Sequence, residues 1–424
     1  MVREGYKETE LGEIPEEWVC DNLGDIAEII MGQSPEGASY NNDKNGIPLI
    51  NGPAEFQKIH PIPVQWTTQV TKVCQIEDVL LCVRGSTTGR LNVADQIYCI
   101  GRGIAAIRGI NGICSQKIIF RLIEKLQKEI FDIAVGNGST FPNINSQDLK
   151  RFPCLVPPLP EQHRIATVLS TIDECIERTE ALIAKLRLVK AGLMQDLLTR
   201  GIDSEGRIRD ESTHEFKDTE IGRVPVEWEV YKIGEVLSEY YIPATMKDYE
   251  YYRLISIRRR NGGIFERERL LGKKILTKDL HHVIPGTFLI ANRQIVHGAC
   301  ALVTENFADS YVSSAYSSLK GSENCDMSYF SCLAITPMMY NYFLNASQGV
   351  VLEKMNFHIN EWLIMKIGLP NIEEQKKIVK ILNASEDRIV REENYLKKLL
   401  YQKKGLMANL LTGYVRILSD IALR

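Results

Sequence analysis

Long apolar runs are missing from this sequence. No stretch approaches 18 consecutive apolar residues, and the opening MVREGYKETE lacks the apolar centre of a secretory signal. A membrane-spanning helix is excluded on that pattern, and a cytoplasmic protein is expected. Closely spaced cysteine pairs are missing too. The ten cysteines (Cys20, Cys74, Cys82, Cys99, Cys114, Cys154, Cys175, Cys300, Cys325 and Cys332) form no CxxC. Neither a metal site nor a disulfide framework is expected, and cysteines in runs such as LLCVRG and SCLAIT read as small buried hydrophobes.

Catalytic motifs are absent as well. VRGSTTGR, from Val83 to Arg90, has glycines and hydroxyls but not the GxxxxGK[ST] of a phosphate loop. CIGRGIAAIRG lacks GxGxxG, and no (N/D)PP(Y/F) tetrapeptide or GxSxG elbow occurs. The seven histidines are scattered, and His281-His282 are adjacent, which suits a loop better than a metal site. These absences argue against a self-contained enzyme. The net charge of -3 decides nothing about nucleic acid, because a DNA-binding surface needs only a local excess of Lys and Arg.

What is present is repetition. YKETELGEIPEEW, Tyr6 to Trp18, returns as FKDTEIGRVPVEW, Phe216 to Trp228, with seven of thirteen positions identical. A second block, LPEQHRIATVLSTIDECIERTEALIAKLRLVKAGLMQDLLTRG from Leu159 to Gly201, returns from Glu373 to Gly413 at an offset of 213. Alternating steps of four and three run through Ile165, Leu169, Ile172, Ile176, Thr179, Ile183, Leu186, Lys190, Leu193 and Leu197. In the second block they run through Ile378, Leu382, Ser385, Ile389, Glu392, Leu396, Leu399, Lys403, Leu406 and Leu410. Steps averaging about 3.5 residues keep one narrow stripe against a partner helix. Each block predicts a helix roughly 60 Å long, opened at Asn371 and Glu374 by the spacing of a capping box and stopped by Gly201 and Gly413. Two long helices, each packed on its own domain, are the alternative.

The chain thus divides into a first head (1–158), a helix (159–201), a second head (202–370) and a helix with a tail (371–424). Runs such as VLLCVRG, GTFLIAN and IMKIGLP predict strands, and SQKIIFRLIEKLQKEIFDIAV a helix. The expected class is mixed α/β (α+β): two globular heads separated by an antiparallel coiled coil, with an internal pseudo-twofold repeat. On that reading the repeated joint links a helix to the next head, and the chain's end lies near its beginning. The heads align little beyond a weak match of VLLCVRG with TFLIANR, which sets Arg84 opposite Asn292.

Basic, glycine-rich loops are the positive signal. Head one has Lys72, Arg84, Arg90, Arg102 and Arg108; head two has Arg258, Arg259 and Arg260 in RRRNGG, then Arg267, Arg269, Lys273, Lys274 and Arg293. Such side chains neutralise phosphates and can read guanine bidentately. Three adjacent like charges repel unless something anionic is near.

Architecture and residues together resemble the specificity (S, or HsdS-type) subunits of type I restriction–modification enzymes. The likeness is carried by PPLPEQHRIATVLSTID and IEEQKKIVKIL, by GLMQDLLTRG and GLMANLLTGY, and by ETELGEIPEEW and DTEIGRVPVEW. Head one adds MGQSPEGASYN, GIPLINGPAEF, CVRGSTTG, CIGRGIAAIRG and GSTFPNIN, whereas KMNFHIN in head two is similar to TFPNIN only loosely. The resemblance implies a non-catalytic subunit whose two heads are target-recognition domains, each reading half of a split, asymmetric duplex target. It implies that the helical pair sets the spacer and docks two methyltransferase subunits, joined by restriction translocase subunits. S-adenosylmethionine and ATP would be bound by those partners, leaving this chain without a cofactor. Family loops point to Gln33, Ser34, Arg84, Thr87, Thr88 and Arg90 as DNA contacts. The alternative is a protein scaffold with two binding heads on a coiled-coil spacer.

Overall fold

The computed structural model describes residues 2–136 and 141–418; the first part of GSTFPNIN and the end of the tail lie outside the described residues. The chain forms two compact units, Met1–Glu180 with Asn394–Arg424 and Ala181–Glu393. Each unit therefore takes half of each long helix, Leu159–Thr199 and Ile372–Leu410.

In the first unit the repeated joint forms an antiparallel hairpin, Tyr6–Thr9 with Gly12–Pro15. The next strand, Val19–Asn22, pairs with Pro153–Val156 just before the first long helix, closing the head on itself. The head holds a four-stranded sheet in the order Ala27–Met31, Ile104–Gly109, Val79–Cys82, Leu91–Val93. A second sheet pairs Cys99–Ile100 in parallel with Ile47–Ile50 and adds Gln65–Thr67 and Tyr40–Asn41. VLLC is apolar throughout because both faces of its strand are covered. Val79 and Leu81 enter the core under the helix Gln116–Gly136, whereas Leu80 and Cys82 enter a separate core with Ile50 and Ile100.

The second unit repeats the first sheet in the same order: Leu237–Glu239, Tyr316–Gly321, Phe288–Ala291, Cys300–Leu302. Its other sheet is longer, Ile264–Leu271, Tyr251–Ile257, Ser310–Ser313 and Leu280–Val283, again with one parallel pair. Two short helices, Met327–Leu333 and Pro337–Asn345, stand where head one has a single long one. His281-His282, expected in a loop, lie in the strand Leu280–Val283; His281 is buried against the Ser318 hydroxyl, and burial lowers its pKa.

All twenty positions of the two stripes are buried or half-buried, while most positions between them are exposed. Within the first unit Ile172 and Ile176 of one helix cluster with Leu399, Leu396 and Leu406 of the other. Within the second unit Leu197 and Leu198 share a core with Ile378 and Leu382. The start of one helix thus meets the end of the other, so the pair is antiparallel in each unit. The polar stripe positions have partners. Lys403 bridges to Asp173 at 2.7 Å and Lys190 to Glu386 at 2.6 Å, the same pair written twice at an offset of 213.

The joints are duplicated in atomic detail. In the first unit the buried Trp18 donates its indole N–H to Glu161 Oε2 at 3.0 Å, and Arg416 reaches the same carboxylate at 2.8 Å. In the second, Trp228 and Arg209 converge on Glu374, with Arg209 bidentate at 2.6 and 3.0 Å. Gln162 and Gln375 each donate to two backbone carbonyls and accept one backbone N–H, at 2.8–2.9 Å. The predicted capping box is half formed. Asn371 accepts the Glu374 N–H at 2.9 Å, but the Glu374 carboxylate is committed to the joint instead of the helix end. Residues after the second helix return to the first unit's own hairpin, where Tyr6 Oη donates to the Gly413 carbonyl at 3.0 Å. Among the described residues no helix is long and apolar enough to cross a membrane.

Candidate nucleic-acid interface

Head one brings part of its predicted set together. Three backbone segments cross so closely that side chains are excluded. A Cβ on Gly32 would lie 2.2 Å from the Gly101 carbonyl, and one on Gly101 the same distance from Asn51 Oδ1. Ser34 Oγ accepts the Arg102 N–H at 3.2 Å and lies 3.4 Å from Asn51 Oδ1, tying the three segments. They border an open cleft lined by Ser34, Asn51, Gly52, Arg84 and Arg102. Gln33 sits at its edge with an exposed side chain, its N–H bonded to the Ile100 carbonyl at 2.9 Å.

Other members of the set do different work. Thr88 is buried and gives its hydroxyl to the Gly85 carbonyl at 2.8 Å, inside the turn. Arg90 spends its guanidinium on the carbonyls of Pro53 and Phe56, at 3.1 and 2.8 Å, holding the neighbouring loop. Arg108 forms two bonds to the buried Asp78, at 2.8 and 2.7 Å. Thr87 remains exposed on the loop between them. The sequence offers no sign of this division, because the acceptors are backbone carbonyls or lie some 30 residues away.

In head two RRRNGG is the turn between Tyr251–Ile257 and Ile264–Leu271. Arg260 and Asn261 take positive φ values of 57° and 53°, and the Gly262–Gly263 pair completes the reversal. Two of the three guanidiniums are held apart by neutral partners within the protein. Arg258 stacks 4.3 Å from the Phe265 ring centroid, and Arg259 Nε donates to Gln294 Oε1 at 2.7 Å. The backbone N–H groups of Arg260 and Asn261 donate to the carbonyls of His297 and Gly298, at 2.6 and 2.9 Å. The turn is therefore fastened to the loop that carries Arg293, and all four arginines are exposed. Lys273 and Lys274 lie on a separate exposed turn, where Lys274 lines a groove with Arg267 and Tyr311.

Strand register corrects the alignment of the heads. Crossing the first sheet, Ile29 faces Ile107, which faces Val79; in the second head Glu239 faces Leu319, which faces Phe288. Val79 thus matches Phe288, one position away from the pairing of VLLCVRG with TFLIANR. Three hydrogen bonds agree. Cys82 N–H to the Arg90 carbonyl repeats as Ala291 to Ala299, Val83 to Gly103 as Asn292 to Ala315, and Ile144 to Val83 as Phe357 to Asn292. Arg84 therefore stands opposite Arg293, not Asn292. The shift arises because the flanking apolar residues are interchangeable, so sequence alone cannot fix which face each occupies.

The family described as "Type I restriction modification DNA specificity domain" matches residues 15–188 and 225–400. The chain is 25% identical to the putative type I restriction enzyme MjaX specificity subunit of Methanocaldococcus jannaschii, over 98% of this chain and 97% of that protein. It is likewise 25% identical to the MjaVIII specificity subunit of the same organism, over 98% and 96%. The crystal structure of a type I restriction–modification S subunit from M. genitalium has the same fold, with a TM-score of 0.54 at 15% identity, covering 96% of this chain and 97% of that one.

Proposed function

The chain belongs to the family of type I restriction–modification DNA specificity subunits, and from that premise we propose that its two heads read the two halves of a split, asymmetric duplex target. The observation that carries this reading is a frame whose joint contacts recur in both units, each supporting a head with a different basic surface. Among the described predicted residues, Gln33, Arg84, Thr87 and Arg102 in head one are exposed where DNA could meet them, with the half-buried Ser34 tying their segments together, and Arg258 to Arg260, Lys273, Lys274 and Arg293 in head two are exposed as well. Thr88 and Arg90 support their loop.

The paired helices act as the spacer and as the docking site for two methyltransferase subunits. Leu188 and Tyr401, at equivalent positions of the two helices, are 75% and 77% exposed, which supports a partner contact made twice. S-adenosylmethionine and ATP belong to the methyltransferase and translocase subunits, and this chain contributes recognition without chemistry. A subunit that reads intracellular DNA would act in the cytoplasm.

The test is to combine the chain with its methyltransferase subunit and map methylated sites across a genome. A split motif with a fixed spacer is expected. Deleting four residues from both helices is expected to shorten the spacer and leave both half-sites intact. An intact complex that adds no methylation, with binding of a protein partner insensitive to salt, would favour a scaffold instead.

A further inference from the structure

Resting on that reading, we propose that Arg84 and Arg293 are an equivalent pair of specificity-determining residues, each reading a base edge in its own half-site. The two loops match without a gap from Val79–Val93 to Phe288–Leu302. Only three residues are identical across that stretch: Leu80 with Leu289, Arg84 with Arg293, and Gly89 with Gly298. The leucines fill equivalent cores, and the glycines both take positive φ, 91° and 72°, at the same point of the turn. Those two identities have a structural cause. The arginine identity has none, since both side chains are exposed and neither guanidinium makes an ion pair or side-chain hydrogen bond among the described residues.

The neighbouring basic residues are not shared. Arg90 falls opposite Ala299 and Arg102 opposite Ser314 by the same registers. What is common to both heads is one free arginine fork directly after the central strand, on a backbone pinned one residue earlier by hydrogen bonds on both sides. A rigid mount with an unengaged bidentate donor suits base recognition, for which Arg on guanine O6 and N7 is the commonest arrangement. Lysines on turns and the RRR tip suit phosphate contacts, which position without specifying.

Lysine separates the two roles, because it keeps the charge and loses the planar fork. In complex with the methyltransferase subunit, R84K and R84A are each expected to lose roughly 10-fold to 100-fold discrimination at one base pair of one half-site. R293K and R293A are expected to do the same in the opposite half, with the spacer and all other positions unchanged. The untouched half-site serves as the internal control for folding, and the lysine variants decide should an alanine variant lose a whole half-site. The proposal is overturned if both lysine variants methylate as wild type does. An even loss across all positions would overturn it too, as would effects of Arg84 and Arg293 in the same half. A wild-type complex with no split motif would instead remove the two-reader premise, and the proposal with it.

Discussion

The two joints reach the same chemistry by different routes. In the second unit the arginine that closes on Glu374 follows the first helix by ten residues; in the first, the arginine that closes on Glu161 follows the second helix by six. Arg209 and Arg416 do not align in sequence, yet each meets a tryptophan and a carboxylate that do. What has been held constant is the ion pair in space, and the connecting chain has been free to change. The heads show the converse. Their first sheets keep one order, while the outer sheets and helices differ. A fixed frame with variable surfaces is what a pair of interchangeable readers requires.

The sharpest way to break the comparison is to remove one carboxylate at a time. The Arg209 side chain is 6% exposed, and beyond Glu374 it reaches the Arg200 carbonyl at 3.2 Å and Glu227 only at 3.6 Å, whereas Arg416 is 17% exposed and also pairs closely with Glu17 at 2.6 Å. Glu374→Ala leaves a buried guanidinium with only the longer contact to Glu227 and should destabilise the second unit by up to about 3–5 kcal/mol. Glu161→Ala should cost the first unit clearly less. Calorimetry with hydrogen exchange on the full chain reads both, and equal losses would mean that Glu17 compensates Arg416 no better than Glu227 compensates Arg209.

Much of the frame was legible in the sequence, because a repeated helical block some forty residues long with a heptad stripe and a thirteen-residue repeat are dense signals. The joint's purpose was legible only in part. Trp18 and Trp228 end the repeated stretch that reads as a joint, but Arg209 and Arg416 carried no signal, lying in unlike contexts at unlike spacing. In the heads, composition located the basic loops but not the fate of each guanidinium. Whether Arg90 faces solvent or two carbonyls depends on a loop some 35 residues away, and whether Arg84 matches Arg293 depends on a one-residue register. Both are tertiary facts.

A smaller effect should be equal in the two units. Gln162 and Gln375 each satisfy three buried backbone groups with the same geometry. Leucine at either position should destabilise its unit by roughly 1–3 kcal/mol through the groups left unpaired. Denaturant titration should give matching losses; a clear inequality would show that the knots differ in solvent access.

Acid should weaken the first unit's joint without mutation. Burial alone would raise the Glu161 carboxyl's pKa. Hydrogen bonds from Arg416, Trp18 and the Ile417 N–H outweigh it and hold the carboxyl below its ordinary value. A group depressed in the folded state stabilises fully above its unfolded pKa of about 4.3 and loses that contribution as pH falls through the folded value. The first unit should therefore lose stability on the acid side of that window, and Glu161→Gln should flatten this limb while leaving neutral-pH DNA recognition by the second head intact. A limb of unchanged slope in the glutamine variant would assign the acid sensitivity elsewhere.

The least effect is expected from the ion pairs in the helical stripe, and it is the most informative about register. Lys403 is 19% exposed and touches both Asp173 and Glu124, whereas Lys190 is 29% exposed and pairs with Glu386 across the helices. Exposed pairs contribute about 0–1 kcal/mol, so double-mutant cycles should find weak coupling for Lys190 with Glu386 and stronger coupling for Lys403 with Asp173. Replacing both lysines by methionine would make the stripe apolar at those positions, with little cost or a gain in stability. Polar residues at such positions specify alignment at the expense of stability. The double variant should accordingly hold its helices in a looser register, read as methylation at more than one spacer length. A single spacer length in a stable double variant would mean that the apolar positions alone set the alignment.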